Sequence, residues 1–205
     1  MATTKKFKCI SNGATITVSQ GNMKMRDTLI FNLPAQRTCP GSTEMCRSKC
    51  YAMKAERMYP TVGPCREENL AASKDDSAFV EGINAIIERH FKGQPGFFRI
   101  HESGDFYSQE YLHAWFDIAN MNTNIKFLAF TKSHMLDFKG CPSNLKIVYS
   151  CWEDTTEVME GVPQSHAGNV KARKDHSRLE CPGKCEECRA CWFLGKNSDV
   201  HFNIH

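Results

Sequence analysis

No stretch of this chain approaches the roughly 18 consecutive apolar residues that a membrane-spanning helix needs. No signal-peptide pattern precedes Lys5-Lys6 either. Together these absences predict a protein that does not cross a membrane and that works in the cytoplasm. An excess of one sign of charge is missing as well, with 26 Lys and Arg against 23 Asp and Glu. The formal net charge is +3, which makes no case for nucleic-acid binding by bulk electrostatics. Internal repeats and low-complexity tracts are missing. What is left, 205 residues with 41% hydrophobic and 24% charged content, suits one domain able to bury a real core.

Cysteine is the residue present in excess, with eleven copies. Secreted disulfide scaffolds are usually shorter, and an odd count leaves one thiol over in any all-disulfide scheme. In a reducing compartment, clustered cysteines bind metal or do redox work more often than they cross-link. Seven of the eleven fall in two groups, Cys39/Cys46/Cys50 and Cys181/Cys185/Cys188/Cys191.

In chain order, residues 7–18 carry Asn12-Gly13 between two β-prone runs, a two-residue hairpin signal. Cys9 in the first arm reads as a small buried residue. Leu29–Leu33 is an apolar strand closed by Pro34, which cannot continue a ladder. A loop with Thr38-Cys39-Pro40-Gly41 follows, and residues 43–58 read as a helix capped by Thr43, with Cys46 and Cys50 on one face. That arrangement sets three thiols above a strand's carboxyl end, beside a positive helix terminus that stabilises thiolates. Cys65 reads as a plain thiol in a loop. Residues 66–92 are helical, with Phe79, Ile83, Ile86 and Ile87 as the apolar stripe. The strand Phe97–His101 leads into Glu102-Ser103-Gly104-Asp105-Phe106, and Ser108 caps a helix with Tyr111, Leu112, Trp115 and Phe116 inward. By strand alternation Arg99 and His101 share a sheet face. Residues 126–131 and 145–151 are further strands. This alternation of strand and helix predicts βαβ units and a mostly parallel sheet or partial barrel. Residues 160–180 read as a solvated loop with a basic run of Lys171, Arg173, Lys174 and Arg178. The two histidines of the tail read as surface residues.

The four C-terminal thiols form one compact run, Cys181-Pro-Gly-Lys-Cys185-Glu-Glu-Cys188-Arg-Ala-Cys191. Four thiolates suit a closed structural zinc site, and the same ligands suit an iron–sulfur cluster. Zinc sites usually split their ligands into two separated halves, so the compact run favours iron–sulfur. In ferredoxin runs the Pro-flanked cysteine can serve a second cluster, which singles out Cys181 as a ligand that could act elsewhere. Cys39, Cys46 and Cys50 have no nearby fourth ligand. For zinc that openness implies a catalytic water, and for a four-iron cluster it leaves one iron for a small molecule.

A short strand, a three-cysteine loop and an aromatic after the last cysteine (Cys50-Tyr51) resemble the cluster loop of radical S-adenosylmethionine enzymes. The resemblance implies a [4Fe–4S] cluster on Cys39, Cys46 and Cys50 whose open iron binds S-adenosylmethionine and, when reduced, releases a 5′-deoxyadenosyl radical. Ser103-Gly104-Asp105 is similar in placement to the motif that holds the methionine amino group there, which makes Asp105 its expected partner and His101 a supporting donor. The C-terminal run resembles the auxiliary-cluster segments of some such enzymes. The set of LPA, TCP, CYA, SGDF and a terminal cysteine cluster also resembles a family of small phage-encoded proteins. The chain departs from the radical-enzyme pattern in its six-then-three cysteine spacing and in carrying Asp where Glu is usual.

The expected fold is α/β, a half TIM-barrel-like βα repeat over residues 1–160 with an N-terminal hairpin and a cluster loop at 34–53. A cysteine-rich extension, residues 161–205, packs on the same domain and folds over the strand ends. The expected cofactors are one or two [4Fe–4S] clusters and S-adenosylmethionine, with zinc as the alternative. The partner would be a small-molecule substrate or a host protein. The alternative functions are a non-catalytic redox or sensing module and a zinc-stabilised protein that binds a host partner.

Overall fold

The computed structural model describes residues 5–21, 25–157, 159–168 and 175–202. Strands β1 (Lys5–Ser11) and β2 (Ala14–Gln20) form an antiparallel hairpin. Asn12 and Gly13 turn it, with φ of 46° and 76°, the paired left-handed conformation that favours Asn-Gly in a tight hairpin. β2 pairs antiparallel with β3 (Thr28–Phe31). From there the sheet runs parallel through β4 (Gly96–Ile100), β5 (Ile125–Thr131), β6 (Leu145–Cys151) and β7 (Gln164–Ala167). β8 (Ser177–Glu180) and β9 (Ser198–Phe202) complete the order β1-β2-β3-β4-β5-β6-β7-β9-β8. The mixed α/β class is as expected. The nine-stranded sheet is open, with β1 and β8 at its edges, so no closed barrel forms.

Four helices separate β3 from β4: α1 (Glu44–Ser48), α2 (Tyr51–Met58), α3 (Val62–Ala72) and α4 (Asp76–Phe91). α5 (Gln109–Met121) joins β4 to β5. Two expected helices are therefore broken. The 43–58 helix stops at Lys49 and restarts after Cys50, whose φ of −68° and ψ of 103° are extended rather than helical. The 66–92 helix stops at Ser73, because Asp75 turns its carboxylate onto the Ala78 amide at 3.1 Å and caps a new helix. Conversely, Gly63 and Pro64 do not mark a loop: they sit in the first turn of α3, where proline costs no hydrogen bond, and Cys65 lies on that helix.

Alternation along the strands builds two apolar layers. Leu29, Phe31, Phe98, Ile100, Phe127, Ala129 and Ile147 meet the stripes of α4 and α5, with Trp115 and Tyr111 fully buried among them. Each buried Leu, Ile or Phe side chain among them contributes roughly 1.5–3 kcal/mol. Ile30, Leu128 and Val148 project to the opposite face, where Trp192, Leu194 and Val200 cover them. The polar stretch 160–180, expected as a loop, supplies β7 and β8. Gln164, Ser165 and His166 are buried there despite their polarity. Arg178 pairs with Glu180 on β8, while Lys171, Arg173 and Lys174 lie outside the described residues. Of the tail histidines, His205 lies outside them too, and His201 is a sheet residue whose ring meets Glu180 and the Gly168 carbonyl. Among the described residues no helix is long and apolar enough to cross a membrane.

Candidate metal centre

The loop after β3 is held from three sides. Asn32 accepts from the Glu102 and Ser103 amides at 2.8 and 2.9 Å, and Leu33 exchanges bonds with Ser103. The Asp105 amide donates to the Thr38 carbonyl at 3.1 Å. Glu56 of α2 accepts from the Ala35 amide and from Arg66, which is itself almost fully buried. Two glycines permit the approach. A Cβ on Gly41 would lie 1.9 Å from the Lys132 carbonyl oxygen, and one on Gly104, at φ 85°, 2.6 Å from Leu33 Cβ. The expected cluster loop is thus rigidly placed at the carboxyl ends of β3, β4 and β5.

Its three thiols lie near enough to act on one another electrostatically. Cys39 sits in the turn whose amide donates to Gln36, Cys46 in the first turn of α1 behind the Thr43 cap, and Cys50 in the break before α2. The expectation that Cys46 and Cys50 share one helix face fails, because the helix between them is interrupted. They are brought together by the fold instead. Burial pushes the Cys39 thiol up to about 12, with Asp105, Cys46 and Cys50 each adding to the rise. Burial also raises Cys46, opposed by the Lys132 ammonium, which contacts it and donates to Ser150 Oγ at 2.8 Å. Lys132 was not singled out from the sequence. Its role comes from a position one residue past β5, which no motif marks.

The Ser103-Gly104-Asp105 segment lies beside the thiol loop, as expected, but its groups are engaged inward. Asp105 accepts from Phe106 N, Thr131 Oγ1 and Lys132 N at 2.7, 2.7 and 2.8 Å. It does not cap α5, whose cap is Ser108. Ser103 Oγ donates to the Leu33 carbonyl. His101 is a core residue: its Nε2 meets the Tyr111 hydroxyl at 2.8 Å, among Phe31, Phe106 and Trp115. Burial, with Arg99 adding, lowers its pKa to about 3. Arg99 and His101 do not share a face. β4 ends at Ile100 and His101 takes φ 61°, so alternation stops there. Arg99 packs over Phe130 on the opposite side.

The C-terminal thiols form a second group. Cys181 follows β8, Cys185 and Cys188 bound the helical turn α6 (Cys185–Cys188), and Cys191 lies in a 3₁₀ turn, Ala190–Phe193. They line one small cavity with Trp192. Burial pushes Cys191 up to about 12, and Cys181, Cys185 and Cys188 all raise it further against Arg99. Cys181 therefore stays with its group. Arg189 fastens the segment, pairing with Asp27, donating to Thr28 Oγ1 at 2.9 Å and lying over Phe97 at 4.1 Å. These partners begin β3 and β4, so Arg189 ties the segment to the amino ends of those strands.

No disulfide links the eleven cysteines. Among the described residues no three His, Cys, Asp or Glu side chains close up as the ligands of a single metal ion. A further buried group was not visible in the sequence: Asp199, flanked by His166 Nε2 and His176 Nδ1 at 3.2 Å each. Its members come from three separate segments.

The fold and sites define an open-sheet α/β protein carrying two thiol groups. It belongs to the Gene product 88 family, whose model matches residues 5–194. It is similar to the "Gene 88 protein" of Mycobacterium phage L5, with 30% identity over 132 residues, 60% of this chain and 52% of that protein. Likeness to the "Gene 88 protein" of Mycobacterium phage D29 is 28% over 162 residues, 73% of this chain and 64% of the relative. The expected kinship with phage proteins is met, and the matched region spans about half to two thirds of these relatives' length. No solved structure matches the chain.

Proposed function

We propose that this protein is an iron–sulfur protein, with Cys39, Cys46 and Cys50 holding a [4Fe–4S] cluster and Cys181, Cys185, Cys188 and Cys191 forming a second metal site. The observation that carries this reading is that one loop at the carboxyl end of β3 holds Cys39 in a turn, Cys46 in a helix and Cys50 in a helix break, near enough to act on one another electrostatically. An all-thiol donor set suits iron–sulfur or zinc and not hard cations. When bound on three cysteines, such a cluster supplies an electron and one iron open to a small molecule, with S-adenosylmethionine as the ligand to test.

The chain's own residues do the rest. Gly41 and Gly104 let the loop close onto β5. Lys132 offsets negative charge beside Cys46. The parallel run β3–β6, read as a half barrel, presents these groups on one side. The free thiols suit a reducing host cytoplasm. One observation favours a second reading, a non-catalytic redox or sensing module: both oxygens of Asp105 are already bonded, which leaves the methionine amino group little purchase. Zinc at the four-thiol site is the remaining alternative, with a host protein as partner.

The test is iron, zinc and acid-labile sulfide per chain on anaerobically purified protein. About eight irons with matching sulfide are expected for two four-iron clusters, and Cys46→Ala or Cys50→Ala should each remove about half of them. Zinc without sulfide, or full iron in both variants, overturns the reading. A changed EPR spectrum of the reduced protein on adding S-adenosylmethionine separates the enzyme-like reading from the redox module.

A further inference from the structure

On the second face of the sheet, Ile30, Leu128 and Val148 are buried beneath Trp192 and Leu194. Arg99 stands level with Ile30 and Leu128 in neighbouring strands and reaches over Phe130. Arg99, Phe130, Lys132 and Ser150 all keep part of their surface in solvent. Ligands of open α/β sheets lie at the carboxyl ends of the strands.

Two cations stand in this recess without an ion pair among the described residues. Arg99 lies over the Phe130 ring at 4.1 Å, and among the described residues only its Nε is hydrogen-bonded, to the His101 carbonyl at 3.0 Å. Neither Nη group has a hydrogen-bond partner among the described residues. Lys132 lies two residues beyond Phe130, just past the end of β5, and among the described residues its ammonium donates to Ser150 Oγ at 2.8 Å and toward Cys46. Arg99 feels the charges of Tyr51, Glu102, Cys191 and Cys185, and Lys132 acts on Cys46, so each cation lies near one of the two thiol groups. Phe202 walls the recess against Phe130 at 5.6 Å.

We propose that Arg99 and Lys132 form an anion subsite that holds a carboxylate or phosphate group of a small ligand on this face of the sheet. The planar guanidinium, stiffened by Phe130 and its Nε bond, presents a fork suited to two oxygens of one oxyanion. Lys132 supplies a second, movable charge nearer Cys46. The subsite deepens the iron–sulfur reading by stating what class of ligand would lie beside the open thiol site. It stands on residues that hold no metal, so the two can be tested apart.

Equilibrium dialysis of the full chain against labelled phosphate and, separately, labelled succinate at fixed chloride tests this, with iron measured on the same samples. Saturable retention of about one equivalent of one probe is expected, and the tighter probe assigns the group as phosphate or carboxylate. Arg99→Gln and Lys132→Met should each weaken retention tenfold or more, Arg99→Lys should weaken it less, and Lys139→Met, on an exposed loop, should leave it unchanged. Unaltered circular dichroism in the Arg99→Lys and Lys132→Met proteins guards against misfolding. Retention of neither probe by the native chain, or equal retention by both charge variants, overturns the subsite. Arg99-dependent retention in an iron-free, sulfide-free preparation keeps the subsite and ends the cluster reading.

Discussion

At the scale of single residues, His101 shows how a site motif can serve the core. It adopts φ 61° at the end of β4, turns its ring away from the face of Arg99, and meets Tyr111 with its Nδ1 left without a partner. Burial keeps it neutral, with its pKa at about 3, against roughly 6.5 in an unfolded chain. The unfolded chain therefore binds the extra proton. The stabilising effect of a neutral His101 is complete above about pH 6.5 and is lost as pH falls from there toward 3, by at most about 1.4 kcal/mol per pH unit. Urea midpoints measured across that range should fall more steeply for the native chain than for His101→Gln. Parallel curves would show that His101 is charged in the folded state.

At the scale of elements, the thiol loop and the Ser103–Asp105 segment form one clamp. Gly104 fits between Leu33 and Thr38 with φ 85°, and Asp105 ties the segment to the end of β5. Gly104→Ala combines a 2.6 Å clash with a left-handed backbone, a cost of about 1–3 kcal/mol. In a chain of this size that corresponds to a thermal midpoint lower by roughly 2–4 °C per kcal/mol. The variant should also lose the iron proposed for Cys39, Cys46 and Cys50, with the metal proposed for the C-terminal thiols unaffected. Unchanged iron with a lowered midpoint would separate the clamp's structural role from cluster binding.

At the scale of the whole molecule, the cysteine-rich extension is part of the sheet. β7, β9 and β8 continue the parallel run from β6, and Trp192, Leu194 and Val200 cover Ile30, Leu128 and Val148. A chain ending at residue 160 would expose that layer and leave β6 as a bare edge strand. It should fail to give a monomeric, cooperatively unfolding species in size-exclusion and urea experiments. A stable monomer of that length would make the extension a dispensable lobe.

The sequence by itself determined the α/β class, the Asn12-Gly13 hairpin, the strands from β3 to β6, the α5 cap at Ser108 and the two cysteine groups. Each of these rests on local periodicity, turn chemistry or spacing, which act over a few residues. It also pointed to the Ser103-Gly104-Asp105 segment as lying beside the thiols. Only the tertiary structure decided the break between Cys46 and Cys50, the inward engagement of Asp105 and His101, and the place of Lys132. Strands β7 and β8 were hidden because a polar run such as Gln164-Ser165-His166 becomes a buried strand only when Asp199 and β6 supply partners from far along the chain. Pairings between distant segments leave no period in the sequence, and they decide which polar side chains face a ligand and which serve the fold.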